Sequence, residues 1–148
     1  MAGRIIMKTQ LFIVFLLLGM KCAVAQAEKI ERIWYNEEKT SKIQIYKAVD
    51  GKFYGKIVWL RVPELEGKPK VDRNNPDKAR RNDPLIGLLI LRGLKKVGDG
   101  LFEDGTIYDP KNGKTYSSKI TVKGDILDVR GYIGFSLLGR TTTWTKAD

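Results

Sequence analysis

The stretch Gly105-Thr106-Ile107-Tyr108-Asp109-Pro110-Lys111-Asn112-Gly113-Lys114-Thr115-Tyr116 holds the densest turn chemistry in the chain, between two segments rich in β-branched and aromatic residues. Pro110 fixes φ near about −65° and biases Asp109 towards an extended conformation. Asn112-Gly113 is a pair that supplies the positive φ values of a tight reversal. The flanks are therefore predicted to pair antiparallel as a β-hairpin. Turn geometry alone accounts for Asp109, Pro110, Asn112 and Gly113. The hairpin is interpreted as a device that sets strand register.

The rest of the chain repeats this pattern of short strands and tight turns. Alternating or largely apolar segments predict strands at 30–35, 42–48, 53–61, 101–109, 114–122, 126–132 and 135–146. Residues 85–94 are apolar without a period that separates helix from strand, and the glycines and aliphatic residues favour a buried strand. About eight strands without a long helix predict an all-β fold, an antiparallel up-and-down barrel in which closure removes exposed edges. A two-sheet β-sandwich is the alternative, because strand counting does not separate the two.

The N-terminal residues 1–25 have the pattern of a secretory signal peptide. Arg4 and Lys8 precede the apolar run 11–18, and Ala23-Val24-Ala25 forms a small-residue cleavage site before Gln26. Lys21 ends the run before the roughly 20 apolar residues that a transmembrane helix needs. We therefore expect a mature single-domain barrel at 26–148, located in the periplasm or secreted.

The single cysteine, Cys22, falls within this leader. A lipoprotein signal requires a small residue before the acylated cysteine, and Lys21 occupies that position, so lipidation is not expected. The mature chain would have neither cysteine nor histidine, which excludes histidine-assisted nucleophiles, cysteine nucleophiles, and zinc or copper sites built from those side chains. No phosphate-binding loop or dinucleotide motif is present. We expect no cofactor and no bound metal.

Charge indicates the kind of partner rather than the fold. The chain has 27 Lys and Arg against 17 Asp and Glu; three of the basic residues and none of the acidic ones lie in the leader. The remaining excess attracts anionic surfaces by long-range steering. Basic residues that could dock on an anionic lipid or polymer are Lys68, Lys70, Arg73, Arg80, Arg81, Arg92, Lys95 and Lys96. Nucleic acid is not expected for an exported chain with dispersed charge.

Residues 62–84 contain four of the five prolines and form a long loop, interpreted as a lid over the barrel mouth. Asn75 and Pro76 are predicted to begin one helical turn. The oxygen-rich side chains here lack the spacing of a calcium-binding EF-hand loop, and turn or cap roles are favoured. The candidate lid residues are Asp72, Asn74, Asn75, Asp77, Arg80 and Arg81.

Aromatic side chains on the predicted strands form a second candidate set, because a barrel of about eight strands either fills itself or holds one small ligand. For any single aromatic residue, simple core packing is the alternative. The candidate ligand-lining residues are Trp34, Phe53, Trp59, Tyr108, Tyr116, Tyr132, Arg140 and Trp144.

An ordered series of motifs resembles a known family. Gly55-Lys56-Ile57-Val58-Trp59-Leu60, Asn74-Asn75-Pro76-Asp77, Tyr108-Asp109-Pro110 and the segment from Gly139-Arg140-Thr141 to Trp144 are similar to the DUF2147 family of uncharacterised exported bacterial proteins. This resemblance implies a lipocalin-like, calycin-type barrel, with no established reaction and no catalytic residues to transfer.

The wider lipocalin pattern has a Gly-x-Trp on the first strand and a late basic residue packed across the tryptophan. Here Trp34 is in place, with Arg32 where the glycine is expected. Arg140 is predicted to lie over Trp34 and close the barrel floor, and Lys146 is the less favoured alternative.

Three functions remain open. The first is an exported protein that binds a small apolar or amphipathic molecule in the barrel. The second is an envelope module that binds anionic lipid or polymer through the basic residues. The third is a carboxylate-dependent enzyme, which no paired motif supports because Glu103 and Asp104, as strand neighbours, point to opposite faces. Enzymatic activity is therefore not expected.

Overall fold

The computed structural model describes residues 28–147, so the predicted leader at 1–25 lies outside the described residues. Within 28–147 the chain forms ten β-strands and one short 3-10 helix, Lys78–Arg80. The strands are β1 Ile33–Tyr35, β2 Ser41–Lys47, β3 Phe53–Leu60, β4 Glu64–Leu65, β5 Lys68–Pro69, β6 Leu89–Gly98, β7 Leu101–Asp109, β8 Lys114–Lys123, β9 Ile126–Tyr132 and β10 Gly139–Lys146.

Eight of these strands close into an antiparallel barrel in the order β1-β10-β9-β8-β7-β6-β3-β2, and β4 and β5 form a separate small hairpin. The barrel closes because β1 pairs with both β2 and β10. Closure leaves the barrel sheet without a free edge. The predicted all-β barrel is confirmed, and the sandwich alternative is wrong. No helix within residues 28–147 has the length and apolar content needed to cross a membrane.

The hairpin between β7 and β8 forms where the sequence predicted it, with Asp109 opposite Lys114. Its turn is wider than an Asn-Gly reversal, since among the four turn residues 110–113 only Gly113 has positive φ. The Asp109 side chain accepts a hydrogen bond from the Lys111 amide at 2.9 Å, and the Asp109 carbonyl accepts one from the Gly113 amide at 2.8 Å. The aspartate thus organises a four-residue turn.

Residues 85–94 divide into a turn and a strand. Leu85 to Leu88 form a turn with Gly87 at φ +89°, and β6 begins at Leu89. The turn is held against β3, because the Gly87 amide donates to the Ile57 carbonyl at 2.7 Å. The predicted strand is therefore present from Leu89 onwards.

One end of the barrel is closed by packed side chains. Phe53 and Phe102 meet edge to face with ring centroids 4.9 Å apart. Residues 28–32 cover this end, and the Trp34 indole donates to the Ile30 carbonyl at 2.9 Å. The buried core includes Ile30, Trp34, Ile43, Ile45, Phe53, Leu91, Leu94, Phe102, Ile120, Leu127 and Val129.

The other end is open and carries four loops, at 36–40, 61–88, 110–113 and 133–138. Arg140 lies at this open end, as the second residue of β10, whereas Trp34 lies opposite Lys146, the last residue of β10. The two positions are six residues apart along β10, roughly 20 Å. The prediction that Arg140 packs over Trp34 and closes the barrel floor is therefore wrong; Arg140 instead pairs with Glu37 at 3.2 Å.

Candidate ligand cavity

The open half of the barrel encloses a cavity of about 860 Å³. This volume lies within the range of small-molecule binding sites. Its walls are inward-facing residues of alternate strand positions, so the lining is mainly aliphatic and aromatic. The apolar wall residues are Ile43, Ile57, Leu60, Leu85, Ile90, Ile107, Val129 and Trp144.

Five of the eight predicted lining residues lie on this cavity: Tyr108, Tyr116, Tyr132, Arg140 and Trp144. Three do not line it: Trp34, Phe53 and Trp59. Trp34 and Phe53 are fully buried in the core at the closed end. A period-two pattern shows which face of a strand is inward, but not how far along the barrel axis the packed core extends.

Trp59 is displaced by a β-bulge. Lys42 lies opposite Trp59 while Ile43 lies opposite Ile57, so Val58 is the extra residue on β3. The bulge turns Trp59 to the outer surface, where its ring meets Tyr35 edge to face at 6.0 Å. Leu60 takes the inward position instead and lines the cavity.

Charged residues line the mouth of the cavity, and the sequence analysis named two of them, Arg140 and Lys70, as candidates. Lys111 binds Glu38 at 2.7 Å, and this hydrogen bond, with the lysine charge, lowers the pKa of Glu38. Glu37 binds Arg140 and also accepts from the Thr143 amide at 3.1 Å. Two further cations line the mouth, Arg61 and Lys70, and within residues 28–147 their side chains have no acidic partner. Their common feature is position: the loops that the topology brings to one end carry Glu37, Glu38, Arg61, Lys70 and Lys111, and Arg140 lies at the same end as the second residue of β10.

A buried carboxylate ties the long loop to the barrel wall. Asp72 is fully buried, accepting hydrogen bonds from the Tyr108 hydroxyl and from Asn75 Nδ2, each at 2.8 Å. Partial burial and the hydrogen bond to Asp72 raise the pKa of Tyr108 to about 12. The hydrogen bonds of Asp72 to Tyr108 and Asn75 form the loop anchor. Tyr108 thus has its ring on the cavity wall and its hydroxyl in this anchor.

The loop is also tied to the β7–β8 turn. Asn74 Nδ2 donates to the carbonyls of Pro110 and Lys111 at 3.1 and 2.9 Å. The Asn74 carbonyl lies so close to Gly113 that a β-carbon there would be only 1.9 Å from it. The turn predicted to set register is therefore also the docking point for the loop.

None of the six candidate lid residues lines the cavity. Asp72, Asn74 and Asn75 are anchors, Asp77 caps the 3-10 helix through the Ala79 amide, and Arg80 pairs with Asp83. Asn75 does not begin that helix as predicted, because its amide nitrogen is bound to Asp72 and its oxygen to the Asp77 amide. The parts of the segment that do line the mouth are Arg61, Val62, Lys70 and Leu85.

Metal-binding side chains do not gather at the mouth or elsewhere: in the described chain, 28–147, no group of three or more acidic, histidine or cysteine residues is placed to hold an ion. Glu103 and Asp104 do not lie on opposite faces as predicted: both are exposed on the outer surface at a bulge of β7, where Asp104 binds Lys95.

Comparison with solved structures finds the same barrel in a protein described as "Protein HP1028 from the human pathogen Helicobacter pylori belongs to the lipocalin family". The superposition has a TM-score of 0.71 at 24% sequence identity, over 82% of this chain and 84% of that one. The likeness establishes the lipocalin-like fold. No curated protein matches the sequence. The family model described as "Uncharacterized protein conserved in bacteria (DUF2147)" matches residues 33–146, and the chain therefore belongs to the DUF2147 family.

Proposed function

We propose that this protein is an exported carrier, periplasmic or secreted, that holds one largely apolar molecule in the open half of its barrel. The observation that carries the proposal is the cavity of about 860 Å³ with aliphatic and aromatic walls. Burial of an apolar ligand surface there contributes about 25 cal/mol per Å² before the costs of association are counted. The lipocalin-like barrel supports small-molecule binding in general.

The charges at the mouth favour an amphipathic ligand with an anionic head. Of the four cations that line the cavity, Lys111 and Arg140 are each neutralised by a glutamate. Arg61 and Lys70 have no such acidic partner within the described chain and can receive a carboxylate or phosphate at the mouth. The proposed ligand places its hydrocarbon portion against the apolar wall and its head beside these two cations.

The proposed role is binding and not catalysis. The carboxylates on the cavity lining are Glu37, Glu38 and Asp109, and each accepts a hydrogen bond from a neighbouring lysine, arginine or backbone amide. These contacts support a role in shaping the mouth and its turns.

Native mass spectrometry of the protein purified from its own cells tests whether a small molecule travels with it. In parallel, a dansyl-labelled fatty acid is titrated into the delipidated protein, and saturable 1:1 binding is expected. Ile107→Trp fills part of the cavity and is expected to weaken binding by about tenfold, because the ligand loses apolar contact area. Val97→Trp, on the exposed surface at the closed end, is the matched control. Equal affinity for both variants would overturn the proposal.

The head-group assignment is tested with Arg61→Gln and Lys70→Gln combined in one variant. The variant is expected to weaken binding of the fatty acid by about tenfold and to leave binding of the corresponding fatty alcohol unchanged, since only the acid is an ion-pair partner. Equal losses for acid and alcohol would contradict the head-group assignment and leave the cavity proposal intact.

A further inference from the structure

The loop between β9 and β10, residues 133–138, exposes an unusual amount of apolar surface. The exposed fractions are 68% for Ile133, 78% for Phe135, 89% for Leu137 and 70% for Leu138. Single exposed apolar side chains are ordinary, but four within six residues form a contiguous patch of the kind that marks an interaction site. The loop contains no charged residue.

The backbone of this loop is held in a defined shape. Arg130, on β9, donates from Nε to the Ser136 carbonyl at 2.6 Å and from Nη2 to the Leu137 carbonyl at 3.2 Å. Its Nη1 donates to Thr141 on β10. The Leu138 amide donates to the Phe135 carbonyl, and the Ile133 amide to the Leu138 carbonyl. The guanidinium therefore holds the loop backbone in a conformation in which the four apolar side chains are exposed.

The patch is continuous with the cavity. Ile133 and Leu138 both line the cavity mouth and extend to the outer surface. Val62, Leu65 and Ile86, in the long loop at the same open end, are exposed as well. An apolar phase in contact with the 133–138 loop would therefore reach the cavity lining through Ile133 and Leu138.

The loops of the open end carry a small excess of positive charge. The four open-end loops hold nine Lys and Arg against seven Asp and Glu. The excess at the open end complements an anionic surface, and apolar side chains beside cations are the composition of interfacial membrane binding.

We propose that the 133–138 loop inserts into the interface of a lipid bilayer containing anionic phospholipid, docking the barrel mouth on the membrane. The insertion surface is Phe135 and Leu137, with Ile133 and Leu138 joining it to the cavity. The proposal does not depend on the cavity being occupied, so vesicle binding and ligand binding are separate measurements. A barrel mouth docked on the membrane would let an amphipathic molecule pass between the bilayer and the cavity.

The test is flotation with vesicles of phosphatidylcholine alone and of phosphatidylcholine mixed with phosphatidylglycerol. The protein is expressed from its full sequence, and its N terminus is determined by mass spectrometry before use. Binding to the anionic vesicles is expected, weaker at high salt. Phe135→Ser combined with Leu137→Ser is expected to reduce the partition coefficient by about tenfold or more, because two large apolar side chains no longer enter the interface. Both positions are exposed, so folding is not at risk.

Val49→Ser combined with Val97→Ser is the matched control, because both residues are exposed apolar side chains at the closed end. It is expected to bind vesicles like the wild type. Phe135→Trp supplies a direct probe, with a blue shift of tryptophan emission, relative to wild type, expected on adding anionic vesicles. Vesicle binding unchanged by the Phe135 and Leu137 substitutions would overturn the proposal. The proposal would also be overturned if the wild type did not bind vesicles and the Phe135 and Leu137 double variant lost self-association in sedimentation velocity. That result would assign the loop to a contact between copies of the chain.

Discussion

Gly113 is the residue on which two parts of the open end meet. Its φ of +71° disfavours any side chain, and a β-carbon would fall 1.9 Å from the Asn74 carbonyl. Backbone cannot yield as a flexible side chain does, so a substitution must displace Asn74 and its hydrogen bonds to the β7–β8 turn. The glycine is thus required by contact as well as by conformation.

Gly113→Ala is therefore expected to lower the free energy of unfolding by about 2 to 4 kcal/mol, combining left-handed backbone strain with loss of the Asn74 contacts. Gly124→Ala is the matched control: Gly124 has φ +62° with nothing within 4 Å of a β-carbon. It is expected to cost about 1 to 2 kcal/mol from backbone strain alone. Urea denaturation measures the free energy of unfolding of both variants. Equal losses would show that the long loop moves away from residue 113 without loss of stability.

Tyr108 gives the loop anchor a signature at high pH. Partial burial and the bond to Asp72 raise its pKa to about 12 in the folded protein, against about 10 in an unfolded chain. Between these values the folded state keeps a proton that the unfolded state has lost, so stability falls as pH rises. The contribution of the hydroxyl is fully present below about pH 10 and lost by about pH 12.

Tyr108→Phe removes this contribution at every pH. The wild type is expected to be more stable than the variant by about 1 to 3 kcal/mol below about pH 10. The difference should shrink by about 1 to 2 kcal/mol towards about pH 12, allowing for the partial exposure of the ring. Denaturation of both proteins across this range checks the result, and a difference independent of pH would contradict the anchor. Comparison with the variant cancels the titration of the other tyrosines and the lysines.

At the residue scale, the sequence predicts what is local. Asp109, Pro110 and Gly113 identify their turn because each acts through its own backbone. The outward orientation of Trp59 could not be predicted, because the bulge at Val58 that causes it depends on pairing with β2. The role of Asp72 likewise depends on Tyr108, 36 residues away. Long-range partners leave no local pattern to read.

At the scale of elements, strands were easier to predict than the segments between them. Period-two patterning predicts the barrel strands, but β6 begins at Leu89 and continues to Gly98 instead of spanning 85–94, because Leu85 to Leu88 form a turn. The 62–84 loop was recognised by its prolines, yet its attachment was not. Its anchors are carbonyls of the β7–β8 turn and one tyrosine hydroxyl, and composition does not identify such partners.

The β9–β10 loop offers a test of how one side chain shapes an element. Arg130→Gln removes the guanidinium bonds to the Ser136 and Leu137 carbonyls. Hydrogen exchange of the Leu138 and Ile133 amides, which are bonded within the loop, is expected to accelerate by about tenfold as the loop opens. Exchange in the barrel strands should not change. Arg140→Gln is the control, since Arg140 pairs with Glu37 and not with the loop; acceleration in both variants would mean that the loop is not held by Arg130.

At the scale of the molecule, the barrel is divided along its axis. The closed half is filled by side chains such as Phe53 and Phe102, and the open half is bounded by a similar apolar lining around empty volume. The sequence predicts a barrel, but it does not predict where along the axis the packed core ends and the cavity begins. The inward-facing residues are of the same apolar types in both halves. On the proposed function, the closed half supplies stability and the open half binds the ligand.

Two substitutions test this division. Phe102→Ala, in the closed half, is expected to lower the free energy of unfolding by about 3 to 5 kcal/mol, because it creates a cavity among fully buried neighbours. Ile107→Ala, on the cavity wall, is expected to cost about 1 to 2 kcal/mol, since part of its surface already faces open volume. For binding of the dansyl-labelled fatty acid the order reverses: Ile107→Ala should change affinity, whereas folded Phe102→Ala should bind like the wild type. Denaturation and titration of the same two proteins separate the effects, and parallel losses in both measurements would show that the two halves act as one unit.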